Sequence, residues 1–171
     1  MSVCRWLVLL VLAQRLVEVA WARRNEKRLL AAGGIETGAS HYPLFFLLHG
    51  GWLIALWVLV PPDAPVHGAL LALFGVLQAG RLGVILSLGR LWTTRVISVP
   101  GAPLVRCGPY RWLKHPNYAI VMAEIAVLPL AFGADGLALV FSLLNLLLLR
   151  HRIRIENAAL ALRQPQPGPV S

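Results

Sequence analysis

The strongest constraint on this chain is that its apolar residues come in blocks long enough to live in lipid, each ended by charge or by a turn. Residues 3–22, 44–60 and 68–88 are three such blocks, each close to the ~20 residues that carry a helix across ~30 Å of hydrocarbon. A fourth stretch begins at Asn117 and runs past Asn145, broken at Gly133-Ala134-Asp135-Gly136, a turn signal. It yields two further spans of roughly 16 and 14 residues, short for full crossings. Inside a bilayer every backbone polar group must find its partner within the protein. The expected fold is therefore an all-α integral membrane protein with about five transmembrane helices. The composition agrees, with 58% of residues hydrophobic and 13% charged. The first block reads as a span and not as a signal peptide, because Gln14, Arg15 and Glu18 interrupt it. The basic run from Arg150 to Asn157 continues the last helix beyond the lipid. Residues 1–163 then form a single transmembrane domain, and 164–171, with three prolines and a glycine, form a disordered tail.

A net charge of +9 suggests nucleic acid at first sight. The basic residues, however, cluster at the ends of apolar spans, which points to membrane lipids as partners and leaves no soluble module to bind nucleic acid. Four Lys or Arg lie in 23–28, five in 90–114 and four in 150–163, while the turns around Asp63 and Asp135 hold none. Five spans put all three basic segments on one side, which the positive-inside rule makes cytoplasmic, with the N-terminus outside. Cys4 and Cys107 are isolated, so neither a disulfide framework nor a metal site is expected.

Several polar residues fall within the spans. Gln14, Arg15 and Glu18 share one face of the first helix, and Gln78 and Arg81 share one face of the third. Such groups are costly in lipid and face the bundle interior or a cavity, so all five are candidates to contact a substrate drawn from the bilayer. Arg15 and Glu18 either neutralise each other or line that pocket. Arg81 has no carboxylate nearby in its own helix, and Glu18 and Glu124 are the available partners. Glu124 is either that partner or a base. His49 is expected to make a helix–helix hydrogen bond.

Between the third and fourth spans lies a polar hinge, Pro100-Gly101-Ala102-Pro103-Leu104-Val105-Arg106-Cys107-Gly108-Pro109-Tyr110-Arg111-Trp112-Leu113-Lys114-His115-Pro116-Asn117-Tyr118. Pro116 suits the first position of a helix, where its missing N–H costs nothing. His115 and the amides after it then sit at the positive end of that helix. The hinge is either a topology-setting basic loop or a ligand site. Arg152 and Glu156, four apart in the tail helix, can converge on it. A cation, a carboxylate, a histidine and the tyrosines Tyr110 and Tyr118 would then share one pocket at the cytosolic interface. No Gly-x-Gly-x-x-Gly run is present, so a dinucleotide-type site is not expected.

The run Gly108-Pro109-Tyr110-Arg111 … Lys114-His115-Pro116-Asn117-Tyr118, followed by Arg152-Ile153-x-x-Glu156, resembles the isoprenylcysteine carboxyl methyltransferase family. It looks most like the short bacterial branch that includes O-methyltransferases of alkylresorcinols and alkylpyrones. Gln14-Arg15-x-x-Glu18, His41-Tyr42-Pro43 and the segment 89–97 also resemble that branch, so the likeness covers residues 10–162. It implies a bacterial cytoplasmic-membrane enzyme that uses S-adenosylmethionine to methylate a lipophilic acceptor. That acceptor would be a long-chain phenolic or hydroxypyrone lipid, or a carboxylate such as that of a prenylcysteine. The likeness puts donor contacts on Ala102, Pro103, Leu104, Val105, Tyr110, His115, Pro116, Asn117, Tyr118 and Glu156, and a substrate-directed arginine at Arg152. Arg95 stands where carboxyl methyltransferases of the family carry a donor-binding glutamine, and Glu156-Asn157 where their tail reads Glu-Glu. A phenol would gain from a base, for which His115 and Glu124 are the candidates beside Arg152. The competing readings are a non-enzymatic membrane scaffold or transporter subunit, and an NADPH-linked membrane reductase.

Overall fold

A computed structural model describes residues 2–100 and 105–161. Five helices make up most of it: α1 (Val3–Ala31), α2 (Tyr42–Leu59), α3 (Gly68–Leu88), α4 (Pro116–Leu130) and α5 (Asp135–Ala161). Among the described residues three segments are long and apolar enough to cross a membrane: Ala39–Leu59, Gly68–Leu91 and Asp135–Ala159. The helix α1 carries Arg5, Arg15 and Glu18 among its apolar residues and runs on through the basic segment Arg23–Arg28. Ser2 caps it, its hydroxyl accepting from the Arg5 N–H at 3.4 Å. With 15 residues, α4 spans only about 22 Å.

One local expectation changes. The fifth span is not short, because α5 runs unbroken for 27 residues, about 40 Å. As expected, the basic tail is part of the same rod as the leucine-rich segment before it. The helical fold also carries a short ribbon. Ile35–Thr37 (β1) pairs antiparallel with Val96–Ser98 (β2), in the register Ile35↔Ser98, Glu36↔Ile97, Thr37↔Val96. The β-branched residues Ile35, Thr37, Val96 and Ile97 suit such a ribbon, which ties the connection after α1 to the one after α3.

The main core joins α1, α2, α3 and α4 through Val8, Val11, Trp52, Leu56, Phe74, Ile125 and Leu128, and Leu137 and Phe141 pack the start of α5 against it. Outward-facing Leu10, Leu47, Ile54, Val76, Leu86 and Leu147 are all more than 60% exposed, a surface that suits lipid and not water. At one end of the bundle the two turns that lack Lys and Arg meet, with the His67 N–H donating to the Ala131 carbonyl at 2.9 Å. At the other end gather the last turns of α1, α3 and α5, the first turn of α4 and the ribbon. The three basic segments therefore share one end of the molecule, as the charge pattern requires.

Candidate active site

The floor of the site is the segment after α3, and α1 fixes it. Asn25, fully buried, donates from Nδ2 to the carbonyls of Gly89 at 3.1 Å and Trp92 at 2.9 Å. Glu26 accepts from both the backbone N–H and the hydroxyl of Thr94, at 3.3 and 3.1 Å. Arg95 next reaches across the ribbon to Glu36, with Nη1 3.0 and 3.1 Å from its two oxygens. Its guanidinium lies 4.9 Å from the Tyr42 ring centre. The Glu36 hydrogen bonds hold Arg95 above its already high ordinary pKa, so it is a permanent cation.

The hinge closes one side. Gly108 adopts φ +54°, and a Cβ built there would run into the Ser87 hydroxyl, so glycine lets the hinge seat against α3 with neither backbone strain nor displacement of Ser87. The 3-10 turn Gly108–Arg111 then presents Tyr110, whose phenol is pushed well above its ordinary pKa by burial and secondarily by the Glu156 carboxylate. It stays a neutral hydroxyl at physiological pH.

The first turn of α4 and the tail of α5 supply the reactive-looking groups. Tyr118 Oη accepts from Arg152 Nε at 2.8 Å and donates to Glu156 Oε2 in a very short bond. The phenol thus stands between the guanidinium and the carboxylate. His115 stacks on the Tyr118 ring, centroids 5.4 Å apart, and lies within 3.7 Å of Glu156 through Nδ1. Its Nε2 is 3.1 Å from Asn157 Oδ1. Arg152 also donates from Nη2 to the Thr94 carbonyl at 2.7 Å and sits 4.9 Å from the Phe45 ring centre. It is fixed by three elements at once.

These groups line one cavity of about 550 Å³, a volume in the ~300–1,000 Å³ range of small-molecule sites. Arg95, Val105, Tyr110, His115, Asn117, Tyr118, Arg152 and Glu156 all line it. Pro116 is buried as the first residue of α4 and sits behind the wall. Ala102, Pro103 and Leu104 lie outside the described residues, as does the tail from 164 onward. Sequence reasoning did not single out Trp92, Thr93, Ile97, Arg106, Lys114 and Asn157, which also line the cavity. The signal available for Trp92 and Thr93 was their place directly before Arg95.

The intramembrane polar residues are elsewhere. Arg81 grips Glu18 with Nε at 2.8 Å and Nη2 at 2.6 Å, while Arg15 bridges Glu18 at 3.0 Å and Glu124 at 2.6 Å. Gln14 donates to Glu18 and Gln78 to Glu124, each at 2.9 Å. Arg81 is also 3.6 Å from Glu124, so two guanidiniums and two carboxylates balance inside the bundle. None of Gln14, Arg15, Glu18, Gln78, Arg81 and Glu124 lines the cavity. They meet its lining through Arg81, whose Nη1 is 3.4 Å from Asn117 Oδ1 and whose guanidinium lies 6.0 Å from the Trp92 ring centre. His49 Nδ1 pairs with the Phe45 carbonyl of its own helix at 2.8 Å, not with a neighbouring helix. Among the described residues no group of three or more His, Cys, Asp or Glu is placed to hold a metal.

The profile of the isoprenylcysteine carboxyl methyltransferase family matches residues 70–162, which hold α3, the hinge, α4 and α5. An uncharacterized protein of Bacillus subtilis, YpbQ, is 40% identical over 161 residues, covering 91% of this chain and 95% of its own. An uncharacterized protein of Haemophilus influenzae is 27% identical over 158 residues, covering 88% of this chain and 91% of its own. No solved structure matches significantly.

Proposed function

The chain belongs to the isoprenylcysteine carboxyl methyltransferase family, and from that premise we propose that it is a membrane enzyme that methylates an oxygen of a lipophilic acceptor with S-adenosylmethionine. The observation that carries this reading is the convergence of Tyr110, His115, Tyr118, Arg152 and Glu156 on one cavity. The residues present fit the donor. Glu156 is a carboxylate for its ribose hydroxyls or ammonium, Arg106 and Lys114 are cations for its carboxylate, and Tyr110 and Trp92 are aromatic faces for a sulfonium. The donor, when bound, supplies an electrophilic methyl group on a cationic sulfur.

The chain's own residues have two tasks. One is to fix the reactants in line and exclude water, which can supply much of the acceleration of a displacement. The other is to prepare the acceptor oxygen. Arg152 suits an anionic oxygen, because its guanidinium is held by Thr94, Tyr118 and Phe45 and does not have to be ordered when the acceptor arrives. A phenol or hydroxypyrone beside a fixed cation loses its proton more readily. His115 is the base within reach, since Glu124 is engaged with Arg15, Gln78 and Arg81. The acceptor enters from the bilayer, and a long-chain phenolic or hydroxypyrone lipid is the class we favour over a prenylcysteine carboxylate.

Bacterial lipid extract incubated with methyl-labelled donor and the protein, then resolved by mass spectrometry, tests this. The expected result is label on an acidic hydroxyl of a long-chain lipid. Label on a free carboxylate would move the acceptor to the prenylcysteine class. No labelled lipid, with nicotinamide cofactor binding instead, would replace methyl transfer by reduction.

A further inference from the structure

A second cavity, about 460 Å³, lies at the same end of the bundle, on the outer side of α1 and α3. Trp21, Arg24, Asn25 and Arg28 line it from α1, and Gly89 and Arg90 from the turn that ends α3. No acidic side chain is among these residues, and none of the three guanidiniums is ion-paired with a described residue. The two backbone carbonyls nearest Asn25 are already engaged, those of Gly89 and Trp92 accepting its Nδ2. What the cavity offers is a cluster of arginine donors, which suits the phosphate of a mono- or diester.

The surroundings choose between a soluble phosphate and a lipid. Arg90 falls at the last turn of the apolar segment Gly68–Leu91, the depth of the headgroup layer. Trp21, 39% exposed, has the place that tryptophans favour at that boundary. Deeper along α1 and α3 the surface is bare and apolar. Val17 lies one turn before Trp21 on the same face of α1 and is 66% exposed, while Leu82 and Leu86, one turn apart on one face near the end of α3, are 54% and 61% exposed. A basic head with apolar walls running away from it into the membrane has the polarity profile of a phospholipid. We infer that this cavity is a binding site for an anionic phospholipid, the phosphate held by Arg24, Arg28 and Arg90 and the acyl chains lying along Val17, Leu82 and Leu86.

Native mass spectrometry of the full-length protein in mild detergent, titrated with phosphatidylglycerol or phosphatidylcholine, reads this out. One phosphatidylglycerol per chain is expected, at a concentration about tenfold below that needed for phosphatidylcholine. The triple variant Arg24→Gln/Arg28→Gln/Arg90→Gln removes the preference. The triple Arg23→Gln/Lys27→Gln/Arg150→Gln, which loses the same charge from exposed positions outside the cavity, keeps it. Arg90→Gln alone, expected to cut the preference about threefold or more, decides the matter should the cavity triple not fold. Equal loss in both triples would reduce the effect to overall charge and overturn the site. Displacement of the lipid by millimolar inorganic phosphate would overturn the lipid and make the ligand a soluble anion.

Discussion

Tyr118 is the residue on which the site's local chemistry turns. Its hydroxyl takes a hydrogen bond from Arg152 and gives one to Glu156, so the cation and the carboxylate are kept apart yet electrostatically coupled. Arg152 and Glu156, four apart in the tail helix, were expected to converge on the hinge, and a direct surface pair between them would be worth little. The interposed phenol changes this, because removing its hydroxyl strips the buried Arg152 and the half-buried Glu156 of a partner. Tyr118→Phe is expected to weaken donor binding by about 1–3 kcal/mol while the fold survives. Titration calorimetry on the variant checks it, and unchanged affinity would make the hydroxyl incidental. Spacing showed which three residues could meet. The order in which they bond depends on rotamers and was not legible.

The elements explain why the polar residues of the spans divide into two groups. Those on α1, α3 and the middle of α4 close on one another, and those at the helix ends line the cavity. The sequence named the members of the first group and their faces. It left the pairing open, since Arg81 could reach Glu18 or Glu124 and in the structure approaches both. Glu124→Ala would leave Arg15 and Arg81 sharing one carboxylate inside the bundle, a loss expected at about 3–5 kcal/mol of stability. Thermal unfolding in detergent measures it. A variant of undiminished stability that no longer turns over would return Glu124 to catalysis. The hinge is anchored by a different device, the approach of Gly108 to Ser87 at positive φ. Gly108→Ala is expected to cost about 1–2 kcal/mol through the left-handed backbone alone, more if Ser87 cannot move, and a lowered melting temperature reports it. The ribbon was invisible in the sequence because its strands are three residues long and lie some sixty residues apart. Its effect is large all the same, since it brings Glu36 to Arg95.

At the scale of the whole molecule, periodicity and charge were the readable signals. Long apolar blocks gave the helices, and the gathering of Lys and Arg in three segments anticipated that one end of the bundle would be basic. Helix limits were less readable, because lysine and arginine are good helix formers. Thus α1 continues through Arg28, past the point where its apolar pattern stops, while the expected continuation of the last helix through the basic tail is met by α5, which runs to Ala161. This continuation carries Arg152 and Glu156 out of the apolar layer and onto the first turn of α4. The account rests on that meeting of hinge and tail around a sulfonium donor. Its most direct test is the dissociation constant of S-adenosylmethionine, measured by calorimetry on solubilised wild type and on Glu156→Ala. Saturable one-to-one binding by the wild type, weakened at least about tenfold by loss of the carboxylate, is the predicted result. A wild type that binds no donor in any lipid environment, or a variant that binds it equally well, would contradict it.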